Sequence, residues 1–192
     1  MEKEKLAKMI RIVTIPPILV FTLITILSIR NEGVFHNTAE IVVTFIMLGM
    51  VPILAYPLQK ILPSFREKGR NGQRYLAFIL SIAGYAGAWV YGYLFQVNHA
   101  LKLLYNTYFM SVILLAVLNK VFRLRASGHA CSITAPIVFV TYFVNWVWAL
   151  PYVVLAAGSI WASYYLKRHT KRDIAFGIGI CLLSFLISFQ FY

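Results

Sequence analysis

Seven apolar stretches recur along the chain, each bounded by polar or charged residues or by a turn signal. They cover residues 12–29, 41–61, 75–95, 103–118, 132–150, 151–166 and 174–192. A helix needs about 20 apolar residues to cross the hydrocarbon core of a bilayer, and fewer where the bilayer thins. The pattern therefore predicts an all-α fold, a polytopic transmembrane helix bundle with about seven spans that forms a single domain over residues 1–192.

The fifth and sixth spans are crowded, because residues 132–166 must hold two passes with only Ala149-Leu150-Pro151 between them. We expect the chain to turn at this tripeptide. If the helices extend from near His129 to about Thr170, each pass gains one turn. The first apolar stretch is expected to stay as a span, since no small-x-small cleavage signal precedes Arg30.

Composition excludes several classes of protein. The chain is 60% hydrophobic and only 12% charged, whereas a soluble domain carries about 25% charged residues. Its net charge is +12, but the apolar fraction argues against nucleic acid as the partner of that charge. The expected partner is the lipid bilayer, with no nucleic acid. No cofactor is expected, and no metal, since nothing in the spacing of the histidines and Asp173 resembles a standard zinc site.

The basic residues are distributed unequally between the two sides of the predicted bundle. With seven crossings, the N-terminus and the loops 62–74, 119–131 and 167–173 share one side. Of the 18 lysines and arginines, only Arg30 and Lys102 fall on the other side. By the positive-inside rule this basic face is cytoplasmic. We therefore expect an integral protein of the cell membrane whose N-terminus and basic face lie in the cytoplasm.

Candidate chemistry also concentrates on the basic face, first in the segment that ends the fourth span and opens the fifth. Ser127 is a plausible N-cap for the next helix, and Gly128 lets a ligand approach the backbone. The free amides at the start of that helix, which includes His129, would point at an anion. Arg123 and Arg125 add forked donors suited to phosphate.

Two further segments add a pair of titratable groups and more positive charge. A spacing of four predicts that His169 and Asp173 share one helical face, where the carboxylate can accept the ring N–H. The other ring nitrogen would then be free to act as a nucleophile or base. The glycine-rich segment 66–74 precedes the third span, and its Lys68 and Arg74 could close over a phosphate.

The order and spacing of these segments resemble the type 2 phosphatidic acid phosphatase family of membrane enzymes. That family has Lys-x6-Arg-Pro, then Pro-Ser-Gly-His, then Ser-Arg-x5-His-x3-Asp. This sequence has Lys68-x5-Arg74-Tyr75, then Ala126-Ser-Gly-His129, then Ser163-x5-His169-x3-Asp173. The resemblance covers about residues 66–177. The first motif is one residue short and lacks its proline, and Ala162 and Ser163 stand where the family has serine and arginine, so the chain resembles a divergent member.

The resemblance implies a metal-independent phosphatase that hydrolyses a lipid phosphate or an isoprenoid (di)phosphate. His169 would attack phosphorus to form a phosphohistidine, Asp173 would orient it, and His129 would protonate the leaving group. The phosphate oxygens would be neutralised by residues of the first two motifs. These residues are Lys68, Arg74, Ser127 and Gly128. Among Arg123, Arg125, Arg168 and Arg172, Arg125 is the first candidate to replace the guanidinium missing at Ser163.

Other interpretations of the same residues stay open. His129 could be a helix-terminal histidine bonded to backbone, and Asp173 could form a capping box with Thr170, which is compatible with catalysis. The basic loops could serve only as topology determinants and contacts for anionic lipids. Two functional alternatives share the scaffold: a non-catalytic lipid-phosphate binder or transporter, and a terpenoid-handling enzyme that releases diphosphate. Many members of the resembled family carry the site on the outer face, which disagrees with the charge distribution.

Overall fold

The computed structural model describes residues 2–30 and 33–191, and every regular element in these ranges is helical. The predicted all-α class is thereby confirmed. We number the helices α1 Glu2–Val13, α2 Pro16–Arg30, α3 Thr38–Ile61, α4 Pro63–Arg66, α5 Gly69–Leu94, α6 His99–Val121, α7 Gly128–Phe143, α8 Trp146–Tyr165 and α9 Lys171–Phe189.

Within the described ranges, five helices are long and apolar enough to cross a membrane: α3, α5, α6, α8 and α9. The consecutive helices α1 and α2 meet at an angle of 53° and count as a sixth span if they are taken together. Helix α7 is apolar but has only 16 residues. The structure therefore supports five or six spans, and the predicted seven are not confirmed.

The predicted turn at Ala149-Leu150-Pro151 is wrong. The chain breaks instead at Val144 and Asn145, so α7 ends at Phe143 rather than at residue 150. Asn145 caps the next helix, because its side-chain oxygen accepts the amides of Val147 at 3.0 Å and Trp148 at 3.2 Å. A cap satisfies free amides at a helix start, which proline cannot do, and Pro151 lies in the second turn of α8.

Six of the helices pack as a closed ring. Around the ring the order is α2, α3, α5, α6, α9 and α7. Each helix contacts the next one in this order, and α7 contacts α2. Helix α8 packs on α7, and the N-terminal α1 packs on α8. Fully buried side chains such as Leu23, Leu104 and Phe139 fill the interior. This order brings the starts of α7 and α9 and the ends of α1 and α8 to one end of the bundle.

Candidate functional site

The loop before α7 is held by side-chain contacts with the preceding helix. The side chain of Asn119 makes two hydrogen bonds to the backbone of Ala126: it accepts from the amide at 2.8 Å and donates to the carbonyl oxygen at 3.3 Å. Ser127 then caps α7, as predicted, because its hydroxyl accepts the amide of Ala130 at 3.2 Å. Ser127 is buried, and its hydroxyl is engaged in capping the helix.

Helices α7 and α9 meet directly at their N-terminal ends. The amide of Ser127 donates to the carbonyl oxygen of Asp173 at 2.9 Å. Gly177, one turn further along α9, faces the same loop, and a Cβ there would overlap the Ser127 carbonyl oxygen and lie 2.9 Å from the Cβ of Ala130. The Ser-Gly-His and His-x3-Asp segments, separated in sequence, are therefore in backbone contact.

The segment between α8 and α9 begins with a tight helix end. The amide of Arg168 bonds to the carbonyl oxygen of Ser163 at 2.9 Å, and Lys167 adopts a left-handed backbone with φ of 50°. This is the hydrogen-bond pattern of a Schellman cap. Because α9 begins only at Lys171, with Thr170 as its cap, the prediction that His169 and Asp173 share a helical face is wrong.

His169 and Asp173 are nevertheless neighbours. Nδ1 of His169 lies 3.6 Å from Oδ2 of Asp173, which is beyond hydrogen-bond distance, and this buried nitrogen has no hydrogen-bond partner in the described chain. Oδ2 accepts the amide of Thr170 at 3.0 Å, while the Thr170 hydroxyl accepts the amide of Asp173 at 3.2 Å. The predicted capping box is confirmed, and the carboxylate is held beside the imidazole.

His129 is bonded to a side chain from the N-terminal part of the protein. Its Nε2 lies 3.0 Å from the hydroxyl oxygen of Thr14, a fully buried residue that follows α1. The Thr14 hydroxyl donates its single proton to the carbonyl oxygen of Ile10 at 2.8 Å. Nε2 of His129 must therefore carry the donated hydrogen, which leaves the lone pair on Nδ1.

Helix α1 also places an arginine in contact with Ser163, the residue that aligns with the arginine of the resembled family's third motif. Nη1 of Arg11 donates to the hydroxyl oxygen of Ser163 at 2.7 Å. The sequence alone assigns Arg11 only to the basic face and predicts Arg125 as the replacement for the missing guanidinium. The signal for Arg11 and Thr14 was weak, because their partners lie 152 and 115 residues away.

Positive charge dominates the surroundings of His169. The pKa of His169 is lowered, first by burial and then by the positive charges of Arg11 and Arg74, whereas the Asp173 carboxylate acts in the opposite direction. Arg74 and Arg168 also lie close enough for their charges to act on Arg11. In the described chain, Nη1 of Arg168 is buried without a hydrogen-bond partner.

An open cleft of about 300 Å³ lies over these groups. It is lined by Arg125, Tyr164, Lys167, Arg168, His169, Thr170 and Asp173. We call it the His169 cleft. The charge of Arg125 acts on Asp173. The cleft therefore combines several cationic donors with a neutral imidazole and a single carboxylate.

Some predicted phosphate ligands lie elsewhere. Lys68 lines a different cleft, of about 560 Å³, together with Asn71 and Tyr75. Arg123 is exposed, has a left-handed backbone with φ of 53°, and is not part of the lining of either cleft. Gly128 opens α7 and is exposed. Over the described residues, no group of three or more His, Cys, Asp or Glu side chains is placed to hold a metal ion.

Comparison of the chain with protein-family models, with curated proteins and with solved structures finds no match.

Proposed function

We propose that this protein is an integral-membrane phosphatase that hydrolyses a lipid phosphate or an isoprenoid (di)phosphate through a phosphohistidine. The observation that carries the proposal is the His169 cleft, where an imidazole beside a carboxylate is surrounded by guanidinium groups at one end of an apolar helix bundle. A phosphorylated amphiphile matches this arrangement, since its head group is anionic and its tail is apolar.

His169 is the proposed nucleophile. Its lowered pKa keeps the ring neutral near pH 7, so a nitrogen lone pair is available. With Nδ1–H directed toward Asp173 at 3.6 Å, Nε2 forms the bond to phosphorus while the bond from phosphorus to the ester oxygen breaks. The ring gains positive charge in this step, and the neighbouring carboxylate stabilises that charge.

His129 is the proposed proton carrier. Its Nδ1, which carries a lone pair at rest, takes a proton from solvent and passes it to the leaving alkoxide. In the second step Nδ1 accepts a proton from the water that cleaves the phosphorus–nitrogen bond and returns it to solvent, which releases inorganic phosphate and free His169. Its bond to Thr14 fixes the ring orientation. The cationic side chains of Arg74, Arg125 and Arg168 neutralise the phosphoryl oxygens.

The test is phosphate release by the purified protein in detergent. Phosphatidate, phosphatidylglycerol phosphate and polyprenyl mono- and diphosphates form the substrate panel. We expect release from at least one of them, loss of release in His169→Gln, and unchanged release in the control His36→Gln, because His36 is an exposed residue before α3. Activity that vanishes in EDTA and returns with zinc or magnesium would contradict the phosphohistidine mechanism.

A non-catalytic lipid-phosphate binder or transporter is the second candidate. It is favoured by one specific observation, the 3.6 Å gap between His169 and Asp173, since a catalytic dyad is expected to be hydrogen-bonded. Binding of the same lipids without any product distinguishes this candidate from the phosphatase. Release of diphosphate in place of phosphate would identify the third possibility, an enzyme that uses diphosphate as leaving group.

A further inference from the structure

We infer that Arg11 of the N-terminal helix is a ligand of the phosphate group, held in place by Ser163. The inference rests on the proposed function for the identity of the anion as a phosphate. It makes α1 a structural part of the site, in addition to any role in membrane topology.

The geometry leaves most of the Arg11 guanidinium available. One N–H of its Nη1 donates to the Ser163 hydroxyl at 2.7 Å, and a guanidinium has five N–H donors. Ser163 is only 4% exposed, so the contact fixes the head of the Arg11 side chain at a defined place. An arginine held at one donor can offer a planar pair of donors to a phosphate.

The charge around Arg11 is not balanced by the protein. Ser163 is neutral, and no carboxylate of the described residues lies within ion-pair distance of Arg11. Its charged neighbours are two further arginines, Arg74 and Arg168. Partly buried like charges are unfavourable unless an anion joins them. A phosphate monoester, with up to two negative charges, is the anion that such a group of guanidiniums suits.

Arg11 lies on the face of α1 that packs against the rest of the protein. Ala7 is fully buried, and Ile10 packs 3.7 Å from the position where a Cβ on Gly158 of α8 would lie. Arg11 and Thr14 follow on the same face, at spacings of four and three residues, and bind Ser163 and His129. The opposite face stays exposed, including Met9 and Ile12, at 58% and 63%.

A second observation agrees with this placement. Ser163 stands at the position where the resembled family has an arginine. The Arg11 guanidinium ends at this hydroxyl. The chain thus has a guanidinium in contact with residue 163, although that guanidinium belongs to Arg11, 152 residues earlier in the sequence.

Binding of inorganic phosphate tests the inference independently of turnover. The readout is the thermal midpoint of unfolding in detergent, measured across a phosphate titration against chloride at equal ionic strength. We expect phosphate to stabilise the wild type, and Arg11→Met to weaken its apparent affinity roughly ten- to hundredfold. Lys8→Met is the matched control, since Lys8 is exposed on the same helix and pairs with Glu4 at 2.6 Å.

A double variant that moves the arginine from position 11 to position 163 distinguishes phosphate binding by Arg11 from a purely structural role of this residue. Arg11→Met combined with Ser163→Arg should recover much of the phosphate affinity, since a guanidinium is again present at the contact between α1 and α8. Arg11→Lys should recover less, because an ammonium lacks the planar fork. Failure of the double variant to improve on Arg11→Met, with both monodisperse, would contradict the inference.

The outcomes separate this inference from the proposed function. If phosphate stabilises the wild type and Arg11→Met abolishes the effect, Arg11 is confirmed as an anion ligand even when no lipid is hydrolysed. If phosphate has no effect on the wild type, or stabilises Arg11→Met equally, the inference is wrong. Loss of hydrolysis in His169→Gln with phosphate binding intact would support both.

Discussion

The protonation state of His169 follows from its surroundings. Burial and the charges of Arg11 and Arg74 lower its pKa from the ordinary value of 6.5. In the unfolded chain the ring protonates near that ordinary value, so acid favours unfolding. The contribution of the neutral His169 ring to the free energy of unfolding is therefore complete above pH 6.5. It is lost as the pH falls toward the lowered pKa of His169 in the folded state. The neutral imidazole that the proposed mechanism requires likewise persists below pH 6.5.

Two substitutions should move this pKa in opposite directions. Arg74→Gln removes a positive charge and should raise the pKa of His169, which shifts the acid limb of kcat/KM to higher pH. Asp173→Asn removes the negative charge that raises the pKa of His169, so the acid limb should shift to lower pH. The amide oxygen of the new side chain can still accept the hydrogen bond from the Thr170 amide. NMR titration of the His169 ring gives the same pKa without turnover. Shifts in one common direction would contradict this electrostatic account.

Single-residue features were predictable where they depend on near neighbours in the sequence. The Ser127 cap and the capping box of Thr170 and Asp173 involve residues three apart, and both are confirmed. Arg11 and Thr14 were missed as site residues, because nothing in their local sequence specifies Ser163 or His129 as partners. Contacts of this kind depend on how α1 packs on α8, which hydropathy does not encode.

At the scale of helices, the contact between α7 and α9 controls how the two halves of the site meet. Gly177 permits this contact, because any side chain would press on the Ser127 carbonyl. Gly179 is a matched control on the same helix, where a Cβ would meet nothing within 4 Å. Alanine substitutions at these two glycines therefore distinguish the effect of packing against the Ser127 loop from the effect of helix propensity.

We expect Gly177→Ala to destabilise the fold by about 1–3 kcal/mol and to reduce phosphate release, since overpacking displaces the Ser127 loop. Gly179→Ala should be neutral or stabilising by up to about 1 kcal/mol, as alanine favours helix. Unfolding midpoints in detergent and initial rates measure both effects. Equal behaviour of the two variants would show that close approach of α7 and α9 is not required.

The position of the break between α7 and α8 shows which helix boundaries hydropathy can locate. Residues 132–166 contain no charged side chain to mark a boundary, so the prediction relied on Pro151. The structure uses the Asn145 cap, whose side chain serves two amides. Asn145→Ala should therefore cost about 1 kcal/mol of stability, whereas Asn145→Asp should retain most of it. Thermal unfolding of the two variants compares them, and equal losses would argue against capping.

For the molecule as a whole, the basic segments of the sequence meet at one end of the bundle. Contacts join Arg11 to Ser163, Thr14 to His129 and Ser127 to Asp173. The sequence predicted this gathering from alternation of the spans and the distribution of charge. The number of spans was harder to predict, because α7 is short and α1 and α2 meet at an angle, and hydropathy measures neither packing nor bending.

The side of the membrane that carries the site can be tested with α3 alone, whatever the number of spans. Its 24 residues extend about 36 Å if helical throughout, enough to cross the hydrocarbon core. Ala39 lies in its first turn, and Ser64 lies just beyond its last residue, toward the basic segments. Both positions are exposed, and the native thiols of Cys131 and Cys181 are buried.

We expect Ala39→Cys to react with a membrane-impermeant thiol reagent in intact cells, and Ser64→Cys to react only after permeabilisation. The physical reason is the positive-inside rule, which predicts that the basic end faces the cytoplasm. Wild type serves as the control for reaction at the native thiols. The opposite pattern would place the His169 cleft on the outer face, where many members of the resembled family have their site. The arginines of the cleft would then be present to bind an anion at that face, and their number would carry no information about topology.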